Sequence, residues 1–141
     1  MKFILTCAAC LLLFACSGPS DGESSLQFED AWVRAMPPGS MMTAGFGKLI
    51  NRSDSELQIA AYTSPQFGDV SLHQTVTENG VSRMQAVEGL SLPAGSDLEL
   101  APGGYHLMLM RPLQADAANV QLHIDLADGQ RFSFELPVER R

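Results

Sequence analysis

The sequence predicts an all-β fold, a Greek-key sandwich or barrel, on three observations. From Leu26 onward the chain runs in short apolar or alternating stretches of strand length. Clusters of Pro, Gly, Asn, Asp and Ser separate these stretches at regular spacing. No stretch sustains the 3.6-residue period of an amphipathic helix.

The strands follow in order. The first is expected at Gln27–Arg34, ended by Met36-Pro37-Pro38-Gly39, where proline has no N–H to give a ladder. Ala44–Asn51 and Leu57–Thr63 come next, then Asp69–Thr77 and Val81–Val87. The last two are joined through Asn79-Gly80, a hairpin signal because both residues accept the positive φ of a type I′ turn. Leu92-Pro93-Ala94-Gly95 precedes a strand at Asp97–Leu100, and Ala101-Pro102-Gly103-Gly104 precedes one at Tyr105–Met110. Val120–Leu126 and Arg131–Val138 form a closing hairpin around Asp128-Gly129. A chain of 141 residues is long enough for one domain with a core and too short for two ordinary ones.

The N-terminus stands apart from this pattern. Met1-Lys2 is followed by an apolar run from Phe3 to Phe14 and then by Ala15-Cys16-Ser17-Gly18, the layout of a signal peptide. The run is too short to span a bilayer as a stable helix. Leu13-Phe14-Ala15-Cys16 resembles a bacterial lipobox, which implies cleavage before Cys16 and acylation of that cysteine. The expected division is a signal peptide at 1–15, a lipidated Cys16 with a flexible Ser/Gly-rich tether at 16–25, and the folded domain at 26–141. Several acyl chains on one residue anchor a protein stably, so the membrane is expected to be met through lipid alone. Ser17 after the cysteine resembles the outer-membrane sorting pattern of Gram-negative lipoproteins, which implies a periplasmic domain.

Charge and cysteine content exclude several function classes. Cys7 and Cys10 lie in the leader, so the mature domain has neither a disulfide framework nor a thiolate for catalysis, a zinc ribbon or a blue-copper site. The formal net charge is −7, and once Lys2 leaves with the leader 16 acidic residues face 8 basic ones. Nucleic acid is not an expected partner. No Ser/His/Asp or Cys/His arrangement, phosphate loop or paired carboxylates at a telling spacing marks an enzyme.

The residues that carry chemistry are histidines and methionines. In Gly104-Tyr105-His106-Leu107-Met108-Leu109-Met110, strand alternation sends Tyr105, Leu107 and Leu109 to one face and His106, Met108 and Met110 to the other. In Val70-Ser71-Leu72-His73-Gln74-Thr75-Val76, His73 alternates against Leu72 and Val76 and points away from the core. Met84, across the Asn79-Gly80 turn, opposes Val81 and Val87. Two imidazoles and two thioethers suit monovalent copper, because thioether sulfur is a soft neutral donor with little to offer Mg²⁺, Ca²⁺ or Zn²⁺. Methionine also survives in oxidising compartments where cysteine is lost to disulfides.

Together these residues form His-x10-Met-x21-His-x-Met, from His73 through Met84 to His106 and Met108. In this signature the chain resembles the periplasmic copper(I) chaperones of the PCuAC family. The stretch Asp30 to Gly39, with Ala44-Gly45-Phe46 and Asn51, resembles the first two strands of that family. The resemblance implies a cupredoxin-like β-sandwich and one Cu(I) ion held by His73, Met84, His106 and Met108. It also implies a recipient that is a cytochrome oxidase copper centre or another copper chaperone acting on it, and a monomeric carrier is the expectation. Two other readings stay open: a copper buffer, store or sensor with the same site, and an immunoglobulin-like adhesion or assembly module without metal. Met41 and Met42 either flank the copper site or, as expected, pack or shield locally; Met110 is either an auxiliary thioether or, as expected, core or edge cover; His123 is expected to be solvated, and Trp32 and Tyr105 to be core aromatics. The C-terminus, Pro137-Val138-Glu139-Arg140-Arg141, carries no His- and Met-rich tail.

Overall fold

A computed structural model describes residues 24–114 and 116–141. The expected signal peptide, Cys16 and most of the tether fall outside the described residues. Ten strands make up the fold: β1 (Leu26–Arg34), β2 (Met42–Asn51), β3 (Leu57–Ser64), β4 (Phe67–Glu78), β5 (Val81–Ala86), β6 (Leu90–Leu92), β7 (Asp97–Leu100), β8 (Tyr105–Pro112), β9 (Asn119–Leu126) and β10 (Arg131–Glu139). Among the described residues there is no helix, so the all-β expectation holds.

Seven strands close on themselves in the order β4-β8-β2-β1-β10-β9-β3 and back to β4. Closure pairs both edges of each of these strands, which removes exposed backbone donors and acceptors from the ring. β5 extends outward from β4, β6 from β3, and β7 lies beside β2. The β1–β10 pairing is parallel, while β4–β8 and β2–β8 are antiparallel. Inside, alternate residues of every wall converge: Leu107 and Leu109 from β8, Val120, Leu122, Ile124 and Leu126 from β9, Leu72 from β4, and Leu49 from β2. Each fully buried leucine contributes roughly 1.5–3 kcal/mol, and this inner packing leaves the opposite parity of each strand facing outward.

Three departures from the sequence reading have identifiable causes. β6 was not expected; three residues are too few to show a period, and the strand is defined by its partners. Leu57 faces Leu92 across the β3–β6 ladder, and buried Asn51 donates from Nδ2 to the carbonyls of Ser55 at 2.7 Å and Leu92 at 2.9 Å. Trp32 is buried, as expected of a core aromatic, but packs outside the main core cluster. A bulge between Glu29 and Trp32 shifts the β1–β2 register, so Trp32 faces Phe46 on the outer wall while Val33 faces Gly45 inside. The rings of Trp32 and Phe46 lie 4.8 Å apart, with Arg141 over the first and Arg34 over the second. The bulge needs Gly47, whose φ is 142° and whose added Cβ would sit 2.7 Å from Ala31 Cα. Finally, Val81 does not turn into the core: all six residues of β5 are exposed, on both faces.

Candidate metal centre

Register alone determines which side chains meet on the outer wall. His73 of β4 is the cross-strand partner of His106 of β8, and Ser71 is the partner of Met108. On the other side of β4, Met84 of β5 faces Thr75, one step along the same face from His73. Residues paired across a ladder share a face, as do residues two apart, so His73, Met84, His106 and Met108 all project from one surface of β5, β4 and β8. Their alternate neighbours Leu72 and Leu107 point inward and fix that orientation.

His106 is only 6% exposed although it faces outward. Its Nδ1 is 3.1 Å from the carbonyl oxygen of Gly104. A carbonyl can only accept, so Nδ1 carries the proton and donates it there, which leaves the Nε2 lone pair available to a metal or another acid. The Ala101–Gly104 turn supplies that carbonyl and also returns the Gly104 N–H to Ala101 O, so the orienting group is itself held.

His73 is half-buried, and its Nε2 lies 3.0 Å from Ser71 Oγ. Its Nδ1 is shut away from solvent and has no hydrogen-bond partner. An orphan of this kind costs about 1–3 kcal/mol unless a ligand takes it up. Burial lowers the pKa of His73, the neighbouring His106 lowers it further, and Asp69 opposes both. The two ring centroids are 6.0 Å apart with planes 30° from parallel.

Met108 stands between small partners, Ala44 of β2 on one side and Ser71 of β4 on the other, so its thioether is not wedged by its ladder neighbours. Met84 is 61% exposed. Met84, His106 and Met108 line one open cavity of about 430 Å³, together with Met42, Ala44 and Thr75. His73 is not on the wall of that cavity; it stands beside His106 across the β4–β8 seam. The structure thus brings three of the four expected residues to one hollow and sets the fourth next to it on the same face.

The remaining candidates separate cleanly. Met110 is on this face, between Met42 and Asp69, but does not line the hollow. Met41 is exposed, Tyr105 is partly buried against the core, and His123 is on β9 with Nδ1 2.8 Å from Ser133 Oγ. Met42 is the residue that sequence reading undervalued: with β2 expected to begin at Ala44 its facing was not defined, whereas the strand begins at Met42 and gives it the parity of Ala44. Among the described residues no three His, Cys, Asp or Glu side chains gather in one place, so a hard-ligand metal site of ordinary composition is not present among them. A second, larger cavity of about 830 Å³ at the Pro37–Gly39 end of the fold contains none of these donors.

Residues 26–138, nearly the whole folded part, match the family described as "Putative lipoprotein LpqE-like". The chain belongs to the LpqE-like family. One relative, "Putative lipoprotein Lxx21020" of Leifsonia xyli subsp. xyli, is 37% identical over 139 residues, covering 96% of this chain and 82% of its own. Solved structures share the fold. The copper-bound PCuAC domain from PmoF2 superposes with a TM-score of 0.68 at 18% identity, over 83% of this chain and 94% of that one. The Cu(I) form of DR1885 from Deinococcus radiodurans superposes with a TM-score of 0.65 at 26% identity, over 86% of this chain and 84% of its own. The LpqE-like chain therefore has the cupredoxin-like β-sandwich of PCuAC domains.

Proposed function

We propose that this protein is a periplasmic Cu(I) carrier, anchored through an acylated Cys16, that takes one ion on His73, Met84, His106 and Met108 and hands it to a recipient copper protein by ligand exchange. The observation that carries the reading is the convergence of two imidazoles and two thioethers on one outer face, with His106 Nε2 free and His73 Nδ1 without a partner. Such a set is soft and uncharged, so the filled site keeps the single charge of Cu(I) and lacks the hard ligands that favour Cu(II). The fold shared with the copper-bound PmoF2 domain and the Cu(I) form of DR1885 supports the same reading. Exchange needs no electron transfer: a donor of the recipient replaces one donor of the carrier at a time.

On this reading residues 1–15 are the export signal, 16–25 the lipidated tether, and 26–141 the carrier domain, which works as a monomer and not as an enzyme. Ser17 favours outer-membrane sorting. The recipient is the copper centre of a cytochrome oxidase, or a copper chaperone acting on it. The test is a competition titration of the full chain in detergent, with Cys7, Cys10 and Cys16 changed to Ser, against a chromogenic Cu(I) chelator. One equivalent is expected to bind the parent, with at least tenfold loss in His106→Ala and Met108→Leu; equal binding by parent and variants overturns the site. Transfer to an apo oxidase domain, followed by chelator exclusion, separates a carrier from a buffer. The intact mass of the native protein extracted from membranes reports acylation at Cys16.

A further inference from the structure

The hollow shared by Met84, His106 and Met108 has a third thioether on its wall, Met42, which the His-x10-Met-x21-His-x-Met spacing does not include. Met42 opens β2 directly opposite Met110, and two residues on Ala44 faces Met108. Met42 and Met108 are therefore a diagonal pair across the β2–β8 ladder, about 7–8 Å apart at the backbone and within reach of long side chains. The residue directly opposite Met108 carries only a methyl group, so nothing bulky from β2 stands on that diagonal. Met42 is 52% exposed, which gives its three side-chain torsions room to move and argues against a role as core filler. Its backbone is held all the same, since Ser40 Oγ donates to the carbonyl of Met42 at 2.8 Å. His73, by contrast, lies outside the hollow.

We propose that Met42 is a fifth soft donor, which holds Cu(I) with Met84, His106 and Met108 when His73 lets go. This inference rests on the copper reading above and adds a route for release. The sulfur lone pair of Met42 forms a bond to the ion as the bond from the His73 nitrogen breaks. The ion stays monovalent, no electron moves, and four donors are kept throughout. The freed imidazole regains its own lone pair and needs no proton to leave. A carrier with such a position passes its ion through an intermediate that is still fully coordinated, so the side of the site at His73 opens first to a recipient.

The test is a double-mutant cycle on the full-length cysteine-free chain in detergent, with Cu(I) supplied under anaerobic conditions against a chromogenic chelator. Met42→Leu alone is expected to change the dissociation constant less than threefold, and His73→Ala alone to raise it about tenfold. The combined variant is expected to lose at least a further tenfold beyond the product of the two. Methionine methyl ¹³C spectra supply a second readout: in His73→Ala the Met42 signal shifts on adding one equivalent of Cu(I). Leucine at a half-exposed strand position keeps the fold, and unchanged amide spectra of the apo protein check this. Additive losses with a stationary Met42 methyl signal, while His106→Ala still abolishes tight binding, overturn this inference and leave the copper reading standing. Equal binding by parent and His106→Ala overturns both.

Discussion

On the copper reading, two adjacent residues of β8 separate stability from metal binding, because alternation sends them to opposite sides of one wall. Leu107 is 0% exposed and packs inside the ring, whereas Met108 is half-buried on the outer face between Ala44 and Ser71. Leu107→Ala removes three buried carbons and leaves a cavity, at a cost of about 2–5 kcal/mol. For a domain of this size each kcal/mol lowers Tm by roughly 3–6 °C, so a fall of about 6–30 °C is expected. No donor atom is lost, and the fraction that remains folded should bind Cu(I) as the parent does. Met108→Leu exchanges one apolar shape for another of similar volume, at less than about 1.5 kcal/mol. It deletes a sulfur from the site, and at least a tenfold loss of Cu(I) affinity is expected. The assays are urea unfolding, with the midpoint read at constant m, and chelator competition corrected for the folded fraction. The reasoning is refuted if Leu107→Ala loses copper as steeply as Met108→Leu, or if Met108→Leu unfolds as readily as Leu107→Ala.

Other substitutions probe the frame that holds this face. Gly47→Ala places a methyl group against backbone at Ala31 and Glu29 in a region closed to L side chains, and should cost about 3 kcal/mol or more in urea unfolding. Gly80→Ala, at φ 77° with open space around it, should cost only about 1–2 kcal/mol. Asn51→Ala leaves the carbonyls of Ser55 and Leu92 without their donor and should cost about 2–4 kcal/mol, with faster amide exchange concentrated in β6. Burial holds the Tyr62 phenol well above its ordinary range, so the fold retains the proton after the unfolded chain has lost it. Stability from this group is therefore intact below about pH 10 and falls as the pH rises beyond it. Tyr62→Phe should flatten that decline between pH 9 and 11.5, and should cost little at pH 7 because the buried hydroxyl has no partner to lose.

How much of this was legible in the sequence depends on which residues specify each feature. β9 alternates without interruption and β8 does so from Leu107 to Met110, so their inner faces follow directly from the order of residues. The Asn79-Gly80 turn likewise sets its hairpin with positive φ at both residues, whereas at Asp128-Gly129 the glycine alone takes positive φ, so that hairpin is present without the expected type I′ turn. The facing of Trp32 was not legible, because it depends on a bulge stabilised by the absence of a side chain at Gly47, a residue on another strand. β6 was not legible for a related reason: its three residues are strand only because β3 lies beside them, with Asn51 holding the carbonyl of Leu92. At the candidate site, the parity of His73, His106 and Met108 could be read from their apolar neighbours. Met84 and Met42 could not be placed so surely, since β5 has no buried side from which to count and the start of β2 lies outside any apolar alternation.

The ribbon that carries Met84 has a mechanical consequence. β5 is hydrogen-bonded to β4 alone and none of its residues is buried, so peeling it away exposes little apolar surface and costs mainly its ladder bonds, each about 1 kcal/mol net. One thioether thus rides on a swing arm while the imidazoles stay bolted to a closed drum. On the copper reading, the hold on the ion can loosen at Met84 while the closed ring stays folded.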